Sequence, residues 1–373
     1  MAADPLSLAP PPISNEQTTP TMTMPTLKQI YDGKWNREAL DYLALVDQWH
    51  VVARTVDVPA GKPVPVQLMG EKIVLWRSAD GQVNAWKDYC AHRGAPLSLG
   101  KVTDGRIVCP YHGWHFDAAG QCVHVPAHPD HQAPLKSVVQ RHRAQEKYDF
   151  VWVSIGSPAS DIPRLPHWDD AGFRKVHAGP YHYQANALRC LDNFMDASHF
   201  PHVHPGVNGR GDQPDTTIHY SVIEKENELQ TTEFTVVQPY ADARGIPITV
   251  RYHYYCLSPT VAYSDKQTGP EQHWFTWCAM TPVDEDQAIF WLVMSFNYGN
   301  DIPEEKILER QAMVFGEQDR WIVESQRPFS LPLDVGDEMH VVSDRLGVAY
   351  RRWIKTLGEQ KRLSNLGAPA FSL

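Results

Sequence analysis

Two short clusters, Cys90-Ala91-His92 and Cys109-Pro110-Tyr111-His112, constrain this chain more than any other stretch. Each supplies one thiol and one imidazole, and sixteen residues separate His92 from Cys109. Four such groups form a metal-ligand set. A structural zinc site also uses two Cys and two His, but ordinarily as a Cys pair followed by a His pair. Here the order is Cys, His, Cys, His. Two facing loops, each carrying one sulfur and one nitrogen, suit a two-iron, two-sulfide centre with both thiolates on one iron and both imidazoles on the other.

The surroundings of these clusters are strand-like. Val64-Pro65-Val66-Gln67-Leu68 and Ile73-Val74-Leu75-Trp76 are short β-rich runs. Asp80-Gly81, Asp104-Gly105 and Ala119-Gly120 are turn dipeptides that fit hairpins. Phe150-Val151-Trp152-Val153-Ser154-Ile155 predicts a closing strand, and residues 157–163 predict a linker. The chain's 373 residues make two domains the natural expectation. The fold class expected is α+β. A small antiparallel β domain at 28–157, with a helical lead-in, precedes a larger domain of antiparallel sheet and helices at 158–373. Residues 1–27, rich in Pro, Ser and Thr, predict a disordered or extended tail. In the lead-in, Ala39, Tyr42, Leu43 and Val46 form a helical stripe.

A second constellation follows. In Asp192-Asn193-Phe194-Met195-Asp196-Ala197-Ser198-His199, residues Asp196 and His199 are three apart, so on a helix they share a face. Pro201 disfavours continuing that helix, which leaves His204 free to turn back toward His199. Two imidazoles and one carboxylate with open positions form the facial triad of oxygen-activating iron. Asp319 is the candidate carboxylate, with Glu317 its local competitor. A helix starting near Asp301-Ile302-Pro303-Glu304 carries the stripe Leu308, Ala312, Phe315, Asp319, Ile322, Gln326, which favours Asp319. An unpaired carboxylate on an apolar stripe is costly, and metal ligation relieves that cost. His202, and His124, His128 and His131, are expected to be surface or structural residues.

Both motifs resemble those of the Rieske non-heme iron oxygenases. The flanks His92-Arg93-Gly94-Ala95-Pro96-Leu97 and Cys109-Pro110-Tyr111-His112-Gly113-Trp114 match, as does Asn193-x-x-Asp196-x-x-His199-x4-His204. Gln318-Asp319, followed by Glu324-Ser325-Gln326-Arg327-Pro328, is similar to the segment holding the third iron ligand. The likeness spans roughly residues 43–357. Its C-terminal part, with Trp86-Lys87-Asp88-Tyr89-Cys90, is most similar to the subgroup of saxitoxin-pathway hydroxylases and toluenesulfonate methyl-monooxygenase. The resemblance implies that Cys90, His92, Cys109 and His112 hold a [2Fe–2S] Rieske cluster. It implies that His199, His204 and Asp319 hold a mononuclear Fe(II), with Asn193 nearby. Asp196 would link His199 to a cluster histidine of the neighbouring subunit in a homotrimer. O2 and a small organic molecule would be the substrates. A separate NAD(P)H-dependent reductase, with or without a ferredoxin, would supply the electrons, since no Gly-x-Gly-x-x-Gly fingerprint occurs here.

Composition narrows the partners. A net charge of −10 argues against a nucleic-acid partner. The longest apolar run, residues 288–294, is far short of a membrane span. The first basic residue is Lys28 and prolines punctuate the start, so no signal peptide is expected and the cytoplasm is the expected location. Cys122, Cys190, Cys256 and Cys278 read as buried free thiols. The functional reading is an oxygenase component that hydroxylates a C–H bond of a small molecule. The same machinery acting on an O- or N-methyl group would be a demethylase. A non-catalytic electron carrier would need the second triad to be vacant. Aromatic residues at 252–255 and 274–277 suit either a pocket or an ordinary core.

Overall fold

A computed structural model describes residues 35–213, 218–241 and 246–367; the expected tail at 1–27 lies outside them. Helix α1 (Leu40–Leu45) leads in, burying Tyr42 and Leu43 of the expected stripe. Six strands then form an antiparallel sheet: β1 (His50–Arg54), β2 (Val64–Leu68), β3 (Glu71–Arg77), β4 (Val83–Lys87), β9 (Arg141–Lys147) and β10 (Phe150–Ser154), in the order β1-β10-β9-β4-β3-β2. Between β4 and β9 a four-stranded sheet is inserted: β5 (Lys101–Thr103), β6 (Arg106–Val108), β7 (His115–Phe116) and β8 (Cys122–His124). Asp104 and Gly105 both have positive φ, 51° and 67°, in the two-residue turn that joins β5 to β6. That is the twist a tight hairpin needs.

The second sheet holds β11 (Arg174–Tyr183), β12 (Val222–Lys225), β13 (Glu228–Thr231), β14 (Phe234–Gln238), β15 (Ile248–Ser258), β16 (Val261–Gly269), β17 (Gln272–Asp284) and β18 (Gln287–Phe296). Its order is β11-β18-β17-β16-β15-β13-β12, with β14 also pairing β15. Strand β15 alternates strictly from Val250 on, burying every even-numbered residue to Ser258, as a half-buried strand should. That alternation separates the aromatic residues. Tyr252 and Tyr254 point into the main core, whereas Phe275 and Trp277 of β17 belong to a second cluster with Phe150 and Trp152 of β10.

The two sheets share their packing. The main core contains Leu68 and Val151 from the first sheet and Met280 and Leu292 from the second. Met69 and Gly70 donate backbone hydrogen bonds to Pro282 and Val283 at 2.6 and 2.8 Å. The expected linker is itself docked: Ile162 is buried, and the Trp49 indole donates to Ser160 O at 3.1 Å.

Helices α2 (Ala187–Phe194), α3 (Phe200–Val203), α4 (Glu304–Gln311), α5 (Arg320–Ser325) and α6 (Arg345–Gly367) complete the fold; a π-helix, Ala312–Asp319, joins α4 to α5. Pro303 occupies the N-cap position of α4 and no side chain caps it. Helix α6 runs through Gly358 to Gly367. A Cβ at Gly358 would sit 2.3 Å from the Leu40 carbonyl oxygen. The glycine lets α1 and α6 touch backbone to side, a tertiary demand that looks like a helix stop in one dimension.

Candidate active site

The two Cys–His loops are built alike. Cys90 N–H donates to Ala95 O and Gly94 N–H returns to Cys90 O, both at 2.9 Å. Cys109 N–H donates to Trp114 O and Gly113 N–H returns to Cys109 O, at 2.9 and 3.1 Å. Gly94 and Gly113 occupy the same left-handed conformation, φ +71° and +69°, and a Cβ on Gly94 would strike the Tyr89 ring at 2.6 Å. The loops place both sulfurs inside and both imidazoles at the rim. Cys90 and Cys109 are buried, His92 is half-buried and His112 is exposed.

The donor set fits a two-iron centre. The imidazole centroids of His92 and His112 are 4.6 Å apart, and His92 stacks on Trp114 at 4.3 Å. His92 Nδ1 is buried without a hydrogen-bond partner, as expected of an atom meant for a metal. The two thiols share a hydrogen bond that lowers Cys109 and raises Cys90, so the pair readily gives up one proton, helped at Cys109 by the N–H groups of Tyr111 and His112. A sulfur ready to ionise is the form that binds iron.

The second constellation forms by a different backbone route from the one its spacing predicts. Helix α2 ends at Phe194, before Asp196. Asp196 Oδ1 instead accepts from the Ser198 N–H at 2.7 Å in a tight turn, and its Oδ2 lies 3.2 Å from His199 Nδ1. Pro201 starts a helix rather than ending one, sitting in the first turn of α3. A missing N–H costs nothing there. His204 follows at the far end of α3 and folds back on His199.

His199 Nε2, His204 Nε2 and Asp319 Oδ1 converge. The two nitrogens are 3.1 Å apart, and the carboxylate oxygen lies 3.3 Å from one and 3.0 Å from the other. Among the described residues this is the one trio of His, Cys, Asp or Glu close enough to share a metal ion. Each imidazole uses Nδ1 elsewhere: His199 against Asp196, His204 against Gln318 Oε1 at 2.8 Å. Acceptors at Nδ1 hold the proton there and turn the Nε2 lone pairs toward Asp319. Such a trio is built for a cation. Even a proton is retained: burial lowers the His199 pKa, but Asp196 and Asp319 outweigh it and raise it to about 9. Burial likewise opposes ionisation of Asp319, and His199 and His204 override it to keep the carboxyl below its ordinary range. Asp196 is also held low; burial opposes its ionisation, and His199 with Ser198 prevails. Glu317 is exposed and His202 faces solvent, so neither joins the trio.

His199 is a wall between two spaces. On its Asp196 side lies an open cleft of about 340 Å³, bordered by Asp192, Tyr220, Glu338 and Arg351. On its Nε2 side lies a narrow cavity of about 30 Å³, bordered by the trio and by Phe200, Tyr252, Tyr254, Gln311 and Phe315. Asn193 borders both. Asp192, one turn before Asp196, is paired with Arg351 at 2.9 and 3.0 Å, and Glu338 bridges Arg351 to Arg189 at 2.8 and 3.0 Å. Sequence reasoning missed Gln318, Gln311 and Arg351. Gln318 had the signal of adjacency to Asp319; the other two had none, because their roles depend on distant chain.

Comparison with known proteins gives the family. Residues 48–141 match the Rieske [2Fe-2S] domain, and residues 183–360 match the vanillate O-demethylase oxygenase C-terminal domain. Methylxanthine N1-demethylase NdmA of Pseudomonas putida is 31% identical over 320 residues, 83% of this chain and 88% of that protein. A toluene-4-sulfonate monooxygenase system iron-sulfur subunit of Comamonas testosteroni, TsaM2, described as putative, is 28% identical over 82% of this chain and 94% of its own. The structure of NdmA with caffeine superposes with a TM-score of 0.77 at 28% identity, covering 91% of this chain and 99% of that one. Dicamba monooxygenase bound to dicamba superposes at 0.73 with 25% identity, covering 85% and 98%. The chain belongs to the Rieske non-heme iron oxygenases. It is an oxidoreductase whose cofactors are a [2Fe–2S] Rieske cluster and a mononuclear iron, and it hydroxylates or demethylates a substrate as the oxygenase component of its system.

Proposed function

We propose that this oxygenase hydroxylates a methyl group carried on the nitrogen or oxygen of a small aromatic or heteroaromatic compound, releasing formaldehyde. The observation that carries it is the convergence of His199 Nε2, His204 Nε2 and Asp319 Oδ1 at one end of a cavity walled by Phe200, Tyr252, Tyr254 and Phe315. The demethylases among the relatives and the vanillate O-demethylase match support the methyl group over other C–H bonds. The reaction balances as follows. The methyl compound, O2, two electrons and two protons give the hydroxymethyl compound and water. The hydroxymethyl group then leaves as formaldehyde, and its heteroatom takes the proton.

In this reading Cys90, Cys109, His92 and His112 hold the cluster, and His199, His204 and Asp319 hold the mononuclear iron. The cluster supplies single electrons, and the iron supplies the place where O2 is activated. The chain's own groups do the rest. Asp196 fixes the His199 tautomer and faces the open cleft, where a second copy of the chain would present its cluster rim. That arrangement makes a homotrimer the functional unit. Asn193 orders the site between cleft and cavity. A cavity of about 30 Å³ admits substrate only when lining side chains such as Phe315 move aside. Gln311 Oε1, buried without a partner, then offers an acceptor to a substrate N–H or O–H.

We assign residues 28–157 to the cluster domain and 158–373 to the catalytic domain; the two family matches fall on either side of that boundary. Electrons come from an NAD(P)H-dependent reductase, directly or through a ferredoxin. A cytoplasmic location suits that donor, and the four cysteines outside the cluster, Cys122, Cys190, Cys256 and Cys278, are free and buried, as a reducing compartment leaves them. The test is formaldehyde release from a panel of N-methyl heterocycles and aryl methyl ethers under reductase turnover. One formaldehyde per two electrons is expected. A hydroxylated product with its methyl carbon retained would establish plain C–H hydroxylation instead.

A further inference from the structure

The segment that delivers Asp319 departs from α-helical geometry, and its buried positions show where. Buried Ile307, Arg310, Gln311 and Val314 keep the three- and four-residue spacings of an α-helix face; the next buried residue is Asp319, five beyond Val314, and Val323 follows four later. The step of five is the extra residue of a π turn. It displaces the expected stripe: ahead of it Ile307, Gln311 and Val314 are buried, each one residue before the expected Leu308, Ala312 and Phe315. π turns are rare and are found mostly at functional sites.

Contacts from β11 hold this turn. The Tyr183 hydroxyl donates to the Phe315 carbonyl oxygen. The Tyr181 ring lies against Gly316, where a Cβ would approach it at 3.2 Å. Tyr183 is buried and ends β11, so its hydroxyl is carried by the sheet rather than by the helix it grips. Downstream, two adjacent residues reach opposite nitrogens of one imidazole. Gln318 Oε1 meets His204 Nδ1 at 2.8 Å and Asp319 Oδ1 meets His204 Nε2 at 3.0 Å. A slip of the backbone by one residue loses both contacts together.

We propose that Tyr183 is a positioning residue for the mononuclear iron: its hydroxyl latches the π turn in the register that aims Asp319 and Gln318 at His204. The proposal rests on reading Asp319 as an iron ligand. Tyr183 does not itself line the cavity; it acts through the carbonyl of Phe315, which does.

Tyr183→Phe removes only the hydroxyl. Tyr350→Phe is the matched control, because the Tyr350 hydroxyl also donates to a carbonyl from a fully buried position, Pro259 O at 2.6 Å, remote from the π turn. Ferrous iron retention would be titrated against a chelator in both variants of the cluster-loaded protein. The [2Fe–2S] absorbance reports folding, and EPR of the nitric oxide adduct reports the mononuclear site. Tyr183→Phe is expected to weaken mononuclear iron about tenfold, the low end for groups that support ligands indirectly, and to change the nitric oxide signal. Tyr350→Phe is expected to leave both unchanged. Wild-type affinity in Tyr183→Phe, or equal loss in Tyr350→Phe, overturns the latch. Two irons per chain in the wild-type protein would instead defeat the ligand reading beneath it. If Tyr183→Phe does not accumulate folded, Gly316→Ala presses on the same turn through Tyr181 and must lower iron retention.

Discussion

His50 offers a prediction whose size can be worked from its surroundings. It lies on β1 at the seam between the two sheets, fully buried. Its Nε2 is 2.9 Å from the Leu45 carbonyl and its Nδ1 3.2 Å from the Thr260 hydroxyl. Burial lowers its pKa from 6.5 to about 4, against a smaller opposing effect of the Leu45 carbonyl. A depressed histidine pKa means that the folded state prefers the neutral ring. The stabilisation is therefore complete above pH 6.5 and is lost as pH falls toward 4. Each pKa unit corresponds to about 1.4 kcal/mol, so the whole contribution is about 3 kcal/mol, of which about 2 kcal/mol is gone at pH 5. The assay is urea unfolding of wild type and His50→Gln from pH 7.5 to pH 5. The stability gap between them should shrink by about 2 kcal/mol over that range. Parallel pH dependences would refute the reasoning, because the titration would then belong to other groups.

Other expectations follow from the same geometry. Asp196→Asn should keep both metal sites filled, since an amide oxygen still accepts from His199 Nδ1, yet slow reductase-driven turnover about 10- to 100-fold because the carboxylate charge beside His199 is lost; single-turnover kinetics with pre-reduced cluster checks this. Gln311→Leu should raise KM about tenfold for a methylated substrate bearing an N–H or O–H, about 1.4 kcal/mol of lost hydrogen bonding, and leave KM unchanged for one without; steady-state formaldehyde assays separate the two. Gly358→Ala should destabilise the protein by about 1–3 kcal/mol, since its methyl must displace α1 from α6. Thermal unfolding reads that loss, and an unchanged melting temperature would mean that the helices separate freely.

The two candidate ligand sets were legible in sequence because the geometry that gathers their atoms is local. Cys90-x-His92 and Cys109-x-x-His112 bring their atoms together through loops closed by their own backbone hydrogen bonds, so spacing alone nearly determines geometry. His199 and His204 were legible for the same reason, although the turn at Asp196 and the helix begun by Pro201 differ from the path expected. Asp319 was reachable through helical periodicity even though the helix is not α there, because the π turn returns the buried face to position 319. What could not be read was imposed from far along the chain. Tyr183 lies 132 positions before the carbonyl it holds, Arg351 lies 159 after Asp192, and Gly358 answers to Leu40. Such pairings exist only once the sheets have placed their ends side by side.

Iron and acid-labile sulfide analysis, with EPR of the dithionite-reduced protein, tests the central claim most directly. The account predicts three irons and two sulfides per chain and a rhombic signal from a histidine-ligated [2Fe–2S] cluster. Zinc without sulfide at Cys90, His92, Cys109 and His112 would contradict it from its first motif onward.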